Sequence, residues 1–556
     1  MILNMGATQS LVKPYILQTD KGRLQGLEYT STKTGKPVCY RYCKIPYAQP
    51  PLGDLRWCRP QPLSTNQSFD DAVSGNPGDH THFGPICPQP IYGHVAAALA
   101  NPSAAPPIVN VEDEDCLYLN IWVPAGEAPK DGWPVQFQIH GGWLQVGNSS
   151  QSNDHDPFDL LLHSRPRIIV APTYRLNVLG FLAGADLATG NFGLWDQRAA
   201  LEWTHNNISL FSGNPHNITV GGLSAGSYSA FLQLYYDTYL PDSQRIIKRA
   251  YLWSNAIAIQ PNSATSPFVT EQFNSLCSVN DIPTSLPATE KLSLLRQIPS
   301  SSLISSLSQL KYHTFRAVTD GSFIPTTFLS SIHDGSFTTL LAEHNVSIIL
   351  GEVSNEANIY ALVNPPTDYS DFLVQLQNYY PDSVVNAMLK THPIPEKSCT
   401  DSKAWVDVFS RMVADGQVHA SARGLTHQLL HPPKGPGIKS LPTSSVHRYR
   451  IEWRAKSLDE WIQPTLGVCH AADIPIWWLS GFRAGYTPED KEAVLKFLEP
   501  FGGFLYGEKV NWGGTGRADE VRLLSKEGGV VEGWRDADWE RGLEVWNAIW
   551  EAQRGS

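Results

Sequence analysis

The chain lacks the features that mark several large classes of protein. No stretch approaches the roughly 18 consecutive apolar residues that cross a bilayer, so the sequence carries no transmembrane segment. No sustained Lys/Arg run occurs, and 42 basic residues stand against 53 acidic ones for a formal net charge of −11. Phosphate binding needs a basic face, so nucleic acid is excluded as a partner. Eight cysteines in 556 residues do not make a disulfide scaffold, and no Cys-x-x-Cys pair offers a zinc site. Repeats of fixed period and low-complexity tracts are absent too. The N-terminus, MILNMGATQSLVKPYILQTDKG, has no basic region followed by an apolar core, so it does not read as a secretory signal. A cytoplasmic location is expected, with secretion open only to a chain whose N-terminus has been processed.

What is present is a globular composition, 42% hydrophobic and 17% charged, outside the range of disordered chains. From about residue 117 to 260, short β-rich runs alternate with helical patterns. LYLNIWV, VQFQI, RIIVAPTY, ITVGG and AYLWS read as strands of a largely parallel buried sheet. Leu194–Asn206 and Ala225–Tyr239 read as helices between them. Two more strands, VSIILGEV ending at Val353 and VHRYRIEW at 446–453, extend the pattern. Such alternation predicts an α/β fold with a sheet covered on both faces. Segments 261–345 and 366–440 read as helical insertions, and no boundary separates independent units. One catalytic domain spanning 1–556 is expected.

In open parallel sheets, ligands bind beyond the carboxyl ends of strands. Three strand ends here carry residues suited to one reaction. In Asn217-Ile-Thr-Val-Gly-Gly-Leu-Ser224-Ala-Gly226 a strand runs through G-x-S-x-G into a helix, the setting in which a sharp turn exposes a nucleophilic hydroxyl. The bare pentapeptide would arise by chance about 0.3 times in a chain of this composition, so the strand–turn–helix context carries the weight. The second end, Val135-Gln-Phe-Gln-Ile-His140-Gly-Gly-Trp143, lets backbone amides approach a developing oxyanion. The hole is assigned to the N–H groups of Gly142, Trp143 and Ala225, although a strand-terminating glycine turn fits the segment equally well. The third, Ile348-Ile-Leu-Gly-Glu-Val-Ser-Asn-Glu356, places acids just past a buried strand. Acids there are commonplace, and the apolar setting of His470 suits a structural histidine as well as a base. The order Ser224, Glu356, His470 is nevertheless that of an α/β-hydrolase triad.

Taken together, these segments resemble the type-B carboxylesterase/lipase family, which includes cholinesterases, fungal lipases and neuroligins. Tyr42-Cys-Lys-Ile-Pro-Tyr-Ala-Gln-Pro-Pro-Leu-Gly53 and Glu114-Asp-Cys-Leu-Tyr-Leu-Asn120 are similar to its two signatures. Thr173–Leu182, Asp196–Trp203 and Asp320–Pro325 resemble further family segments, and the likeness fades from about residue 485. The resemblance implies an α/β-hydrolase fold with a large, mostly parallel twisted sheet, flanking helices and helical insertions. It places the nucleophile on Ser224, the acid on Glu356 and the base on His470. Of the two nearby acids only Glu356 fits the family spacing, so Glu356→Gln is expected to lower kcat by orders of magnitude and Glu352→Gln to change it little. By the same resemblance Cys87 and Cys116 match a pair that usually forms a disulfide, and Asp473 matches a supporting acid.

Three departures stand out. Trp143 occupies the third glycine of the usual His-Gly-Gly-Gly, Ala357 follows the acid where glycine is usual, and Leu223 precedes the nucleophile where cholinesterases carry Glu. The segment between Cys87 and Cys116 contains no Trp to hold a quaternary ammonium by cation–π attraction, which disfavours a cholinesterase. Within that segment, Pro90–Asn101 forms a mildly apolar piece suited to a short lid, but its Ala-rich character favours soluble esters over an oil interface.

The expected activity is hydrolysis of small to medium hydrophobic esters through an acyl-enzyme, with a small-molecule ester as substrate and no cofactor or metal. An acyltransferase or lactone-forming enzyme would use the same acyl-enzyme. A non-catalytic, neuroligin-like binding module is the reading from another class. Its relatives typically lose a triad residue and carry a membrane stalk, whereas all three triad residues are present here. Oligomeric state is not legible.

Overall fold

The computed structural model describes residues 10–64, 68–91, 111–149, 156–184, 188–256, 259–460, 462–483, 485–513 and 516–554. Its centre is one sheet. The strands in chain order are β1 (Ser10–Thr19), β2 (Gly22–Ser31), β3 (Pro37–Pro46), β4 (Tyr118–Pro124), β5 (Trp133–Ile139), β6 (Ile168–Pro172), β7 (Gly213–Leu223), β8 (Ile247–Trp253), β9 (Ser347–Val353), β10 (Val446–Ile451), β11 (Glu520–Leu524) and β12 (Val530–Arg535). They lie in the order β1-β2-β3-β4-β6-β5-β7-β8-β9-β10-β11-β12, and the two-residue strand Gly78–Asp79 adds beside β2 as the thirteenth. Every pairing from β6 through β11 is parallel. The strands outside that block pair antiparallel, apart from the short strand beside β2.

Parallel strands need crossovers, and the crossovers bury both faces of the sheet. Alternate residues of one strand accordingly enter different cores. Ile168, Val170, Ala250, Leu252, Ile348 and Leu350 join one hydrophobic cluster. Ile169, Ala171, Tyr251, Trp253 and Ile349 join another. Helices α1 (Phe192–Asn207), α2 (Ala225–Thr238) and α3 (Ala420–Leu430) contribute to the first cluster, as does Trp546 of α5 (Trp539–Gln553). The second receives Phe497, Phe501 and Phe504 from α4 (Pro488–Tyr506). Continuous Val/Ile/Leu runs buried on both sides are what the sequence pattern of these strands demands.

The seven strands expected from sequence are present within a few residues of their expected ends, and so are α1 and α2. Segments 261–345 and 366–440 are helical insertions, the second supplying a third cluster around Phe372, Trp405 and Phe409. The sequence pattern did not reveal β1–β3 or the hairpin β11–β12. β1 is an edge strand whose side chains mostly face solvent, so it lacks the apolar alternation that would mark it, and it tolerates Pro14 for the same reason.

Glu352 has a structural role that its place in the sequence does not show. It is buried near the end of β9, where it accepts hydrogen bonds from His419 Nδ1 at 2.9 Å, Arg423 Nη1 and Nη2 at 3.0 Å each, and Arg450 Nη1 at 2.7 Å. Arg423 and Arg448 both continue to Asp536, at 2.8 and 2.7 Å. Burial opposes the charge, yet Arg423, His419 and Arg450 together hold the Glu352 carboxyl well below its ordinary range. This network ties β9, β10 and α3 to the turn after β12. Glu352 is therefore structural, because its removal leaves buried cations without a counter-charge. Glu352→Gln should lower the unfolding free energy by about 3–5 kcal/mol, measured by denaturant titration.

Candidate active site

β7 ends at Leu223, and Ser224 follows with φ 61° and ψ −128° before α2 begins at Ala225. A non-glycine residue held there stores about 1–3 kcal/mol of strain. The surroundings hold it firmly. Ser224 N–H donates to Trp253 O at 2.9 Å, and Tyr228 N–H donates to Ser224 O at 3.0 Å. The flanking glycines are required by contact: a Cβ on Gly222 would lie 2.4 Å from Ile139 O, and one on Gly226 only 2.1 Å from the same atom. The turn is thus pressed against the end of β5, with the positive end of the α2 dipole behind the serine.

On the other side of that contact, β5 runs into His140-Gly141-Gly142-Trp143. A Cβ on Gly141 would meet Leu223 O at 2.6 Å, so the loop lies directly against the serine turn. Its backbone is unusual over three residues, with φ of 112° at Gly142, 57° at Trp143 and 64° at Leu144. Gly142 O accepts the amides of Gln145 and Val146 at 2.8 and 3.0 Å. The Gln145 carboxamide then ties the loop to a distant segment, donating to Phe315 O at 2.6 Å and accepting from Phe315 N at 3.2 Å. Trp143, half-buried, lines the cleft beside Ser224 and Ala225 and packs against the third hydrophobic cluster. Gly142 does not contribute to the lining.

The acid and the histidine meet through the ends of β9 and β10. Asn355 N–H donates to Val468 O, and Asn355 Oδ1 accepts from Val468 N–H, both at 3.0 Å. This bridge sets Asn355 against Cys469, which puts the next residues, Glu356 and His470, side by side. Arg454 braces the histidine loop by donating to Gly467 O at 2.6 Å and Ile462 O at 2.5 Å. Glu356 Oε2 lies 2.6 Å from His470 Nδ1, while Glu356 Oε1 accepts the Val353 amide at 2.9 Å. Both side chains are buried, at 0% and 3% exposure. His470 Nε2 is also buried and makes no hydrogen bond to any described residue, Ser224 included. The histidine is linked to the serine's cleft through Tyr360, whose ring lines that cleft and lies 5.5 Å from the imidazole.

Asp473 is fully buried and accepts from Trp477 Nε1 at 2.7 Å. Burial pushes its carboxyl up to about 6. Its bond turns it toward the short helix after His470. Cys87 and Cys116 are buried free thiols. Hydrogen bonding to Cys87, with burial, pushes the Cys116 thiol well above its ordinary value, and Cys87 Sγ accepts from Leu176 N–H at 3.3 Å. Of the expected lid piece, all but Pro90 and Ile91 lies outside the described residues. Among the described residues, no group of three or more His, Cys, Asp or Glu is arranged to hold a metal, and no helix is long and apolar enough to cross a membrane.

Several residues at the site carried no sequence signal. Tyr360 lies four residues beyond Glu356, Arg316 four before Asp320, and Gln417 on a π-helical turn, Asp415–His419. All three line the cleft. Only the π turn is of a kind that accompanies functional sites, and it is invisible before the chain is folded.

The profile of the carboxylesterase family matches residues 13–511. The chain belongs to the carboxylesterase family. It is an enzyme, a carboxylic ester hydrolase with the α/β-hydrolase fold. An uncharacterized esterase/lipase of Schizosaccharomyces pombe is 41% identical over 540 residues, 95% of each chain. A carboxylic ester hydrolase of Gibberella moniliformis is 36% identical over 549 residues, 96% of each. The cholinesterase of Mus musculus is 38% identical, but over only 248 residues, 44% of this chain and 37% of that one. This carboxylesterase continues beyond the matched region, adding β11, β12 and α5 after residue 511.

The two acids near the end of β9 are separable by experiment. On the triad reading, Glu356→Gln should reduce kcat by about 10⁴-fold, with little change in melting temperature. Glu352→Gln should show the opposite pattern in steady-state kinetics and thermal melts on one preparation.

Proposed function

We propose that this carboxylesterase hydrolyses small to medium hydrophobic esters through an acyl-enzyme on Ser224. The observation that carries the reading is the buried Glu356–His470 pair, linked through Tyr360 to the cleft that holds the strained Ser224. His470 Nε2 takes the hydroxyl proton as Ser224 Oγ attacks the ester carbonyl, and Glu356 fixes the Nδ1–H tautomer and stabilises the imidazolium. The amides of Trp143 and Ala225, with that of Gly142 behind them, serve the oxyanion. The ester C–O bond breaks, and the alcohol leaves with the proton from His470. Water then attacks the acyl-enzyme, gives its proton to His470, and releases the acid and free Ser224. The unmade bond from Nε2 is compatible with this role, since catalytic hydrogen bonds are often long or misaligned until substrate is bound.

Trp143 gives the cleft its individual shape. Its left-handed backbone is the conformation a glycine would take without strain, and the indole fills space that a glycine would leave open. Bulk beside the scissile carbonyl restricts the acyl or alcohol group without removing the amide donor.

Two measurements test the proposal. A sulfonyl fluoride should label Ser224 stoichiometrically, and Ser224→Ala should lower kcat by at least about 10⁴-fold. Labelling elsewhere, with activity kept in the mutant, would overturn the assignment. In a chain-length series of p-nitrophenyl esters, Trp143→Gly should retain activity on short acyl groups and gain on bulky ones. A uniform loss on all esters with a lower melting temperature would instead make the indole a structural prop.

A further inference from the structure

The cleft that holds Ser224 is walled mainly by aromatic, aliphatic and carboxamide side chains, and Arg316 is the one charged residue among those lining it. The carboxamides are largely committed to the scaffold. Asn378 donates to Lys311 O and Val374 O and accepts from Thr314 N, and Gln272 donates to Tyr312 O and Thr314 O. Arg316 is not satisfied in this way. Its Nε–H donates to Asn378 O at 2.5 Å, and its guanidinium carbon lies 4.5 Å from the centre of the Tyr379 ring. Its Nη2 is buried without a hydrogen-bond partner among the described residues, and none of the described residues lining the cleft carries a carboxylate to balance the charge.

Arg316 is also close to the chemistry. Phe315, the preceding residue, is clamped on both backbone atoms by Gln145 of the Trp143 loop. Burial pushes the phenols of Tyr228 and Tyr360 up, and the Arg316 charge opposes that rise in both. Tyr228 stands one turn along the helix from Ser224, and Tyr360 stands against His470.

A buried guanidinium donor without an acceptor is costly unless a ligand supplies one. Carboxylate is the acceptor best matched to a planar cation with parallel N–H groups. We propose that Arg316 is a specificity-determining residue that binds a free carboxylate on the substrate, so that the preferred esters are half-esters of dicarboxylic acids. The proposal rests on the esterase reading above. It narrows the substrate from a purely hydrophobic ester to one with an anionic end.

The test compares monoethyl adipate with diethyl adipate at neutral pH by titration of released acid. Wild type should favour the half-ester in kcat/KM. Arg316→Gln should lower kcat/KM for the half-ester about tenfold or more, chiefly through KM, and change that for the diester less than threefold, as about one charge-assisted bond predicts. Arg316→Lys should restore part of the preference. Equal loss on both esters, or no preference in wild type, overturns the proposal. If the variants do not fold, inhibition of wild-type diester hydrolysis decides: adipate should compete, hexane-1,6-diol at equal concentration should not, and equal inhibition by both refutes carboxylate binding. Failure of Ser224-dependent diester hydrolysis would instead remove the esterase reading itself.

Discussion

The contact between the ends of β5 and β7 is the constraint on which the rest of the site depends. Gly141, Gly222 and Gly226 leave no room for a Cβ there, because each would drive one into a main-chain carbonyl oxygen of the opposing segment. That approach presses the serine turn against the His140-Gly-Gly loop. The strain at Ser224 is held by the same packing, since the residue cannot relax without separating two strands of a parallel sheet buried on both faces. The helix that follows starts where its first amides and its dipole face the hydroxyl.

Two glutamates four residues apart at one strand end stand in very different surroundings. Glu352 is surrounded by three cationic side chains and holds sheet, helix and C-terminal turn together. Glu356 faces a single histidine and one backbone amide. A carboxylate saturated by arginines is locked as an anion and has little left to offer an imidazole. One with a single histidine partner can stabilise the charge that partner gains during proton transfer. Their chemical difference comes from the neighbours that β10 and the insertion helices supply.

In the proposed mechanism, the cleft wall and the reacting groups come from different layers of the fold. Ser224, Glu356 and His470 all stand at or beyond the carboxyl ends of strands, where the sheet fixes them. The opposite wall of the cleft comes from the loops and helices of the two insertions, joined to the Trp143 loop by the Gln145–Phe315 clamp. Such segments vary more freely than the sheet that carries them.

The sequence alone determined the α/β alternation, the strand ends that bear Ser224, Gly142 and Glu356, and the chain order Ser224, Glu356, His470. These are local matters: buried strands need runs of apolar residues, and a strand-to-helix turn against another backbone needs glycine at fixed offsets. The family resemblance already picked Glu356 over Glu352 as the acid, but only the tertiary structure gave Glu352 its buried ion-pair network. The two look alike as acids near a strand end and differ in partners 67 to 98 residues away in the chain. It alone revealed β1–β3, of which the edge strand β1 is mostly exposed and carries no apolar rhythm. It alone brought Arg316 to the cleft without a carboxylate beside it among the described lining residues, because whether a guanidinium has a counter-ion depends on the segments packed around it rather than on its neighbours in the chain.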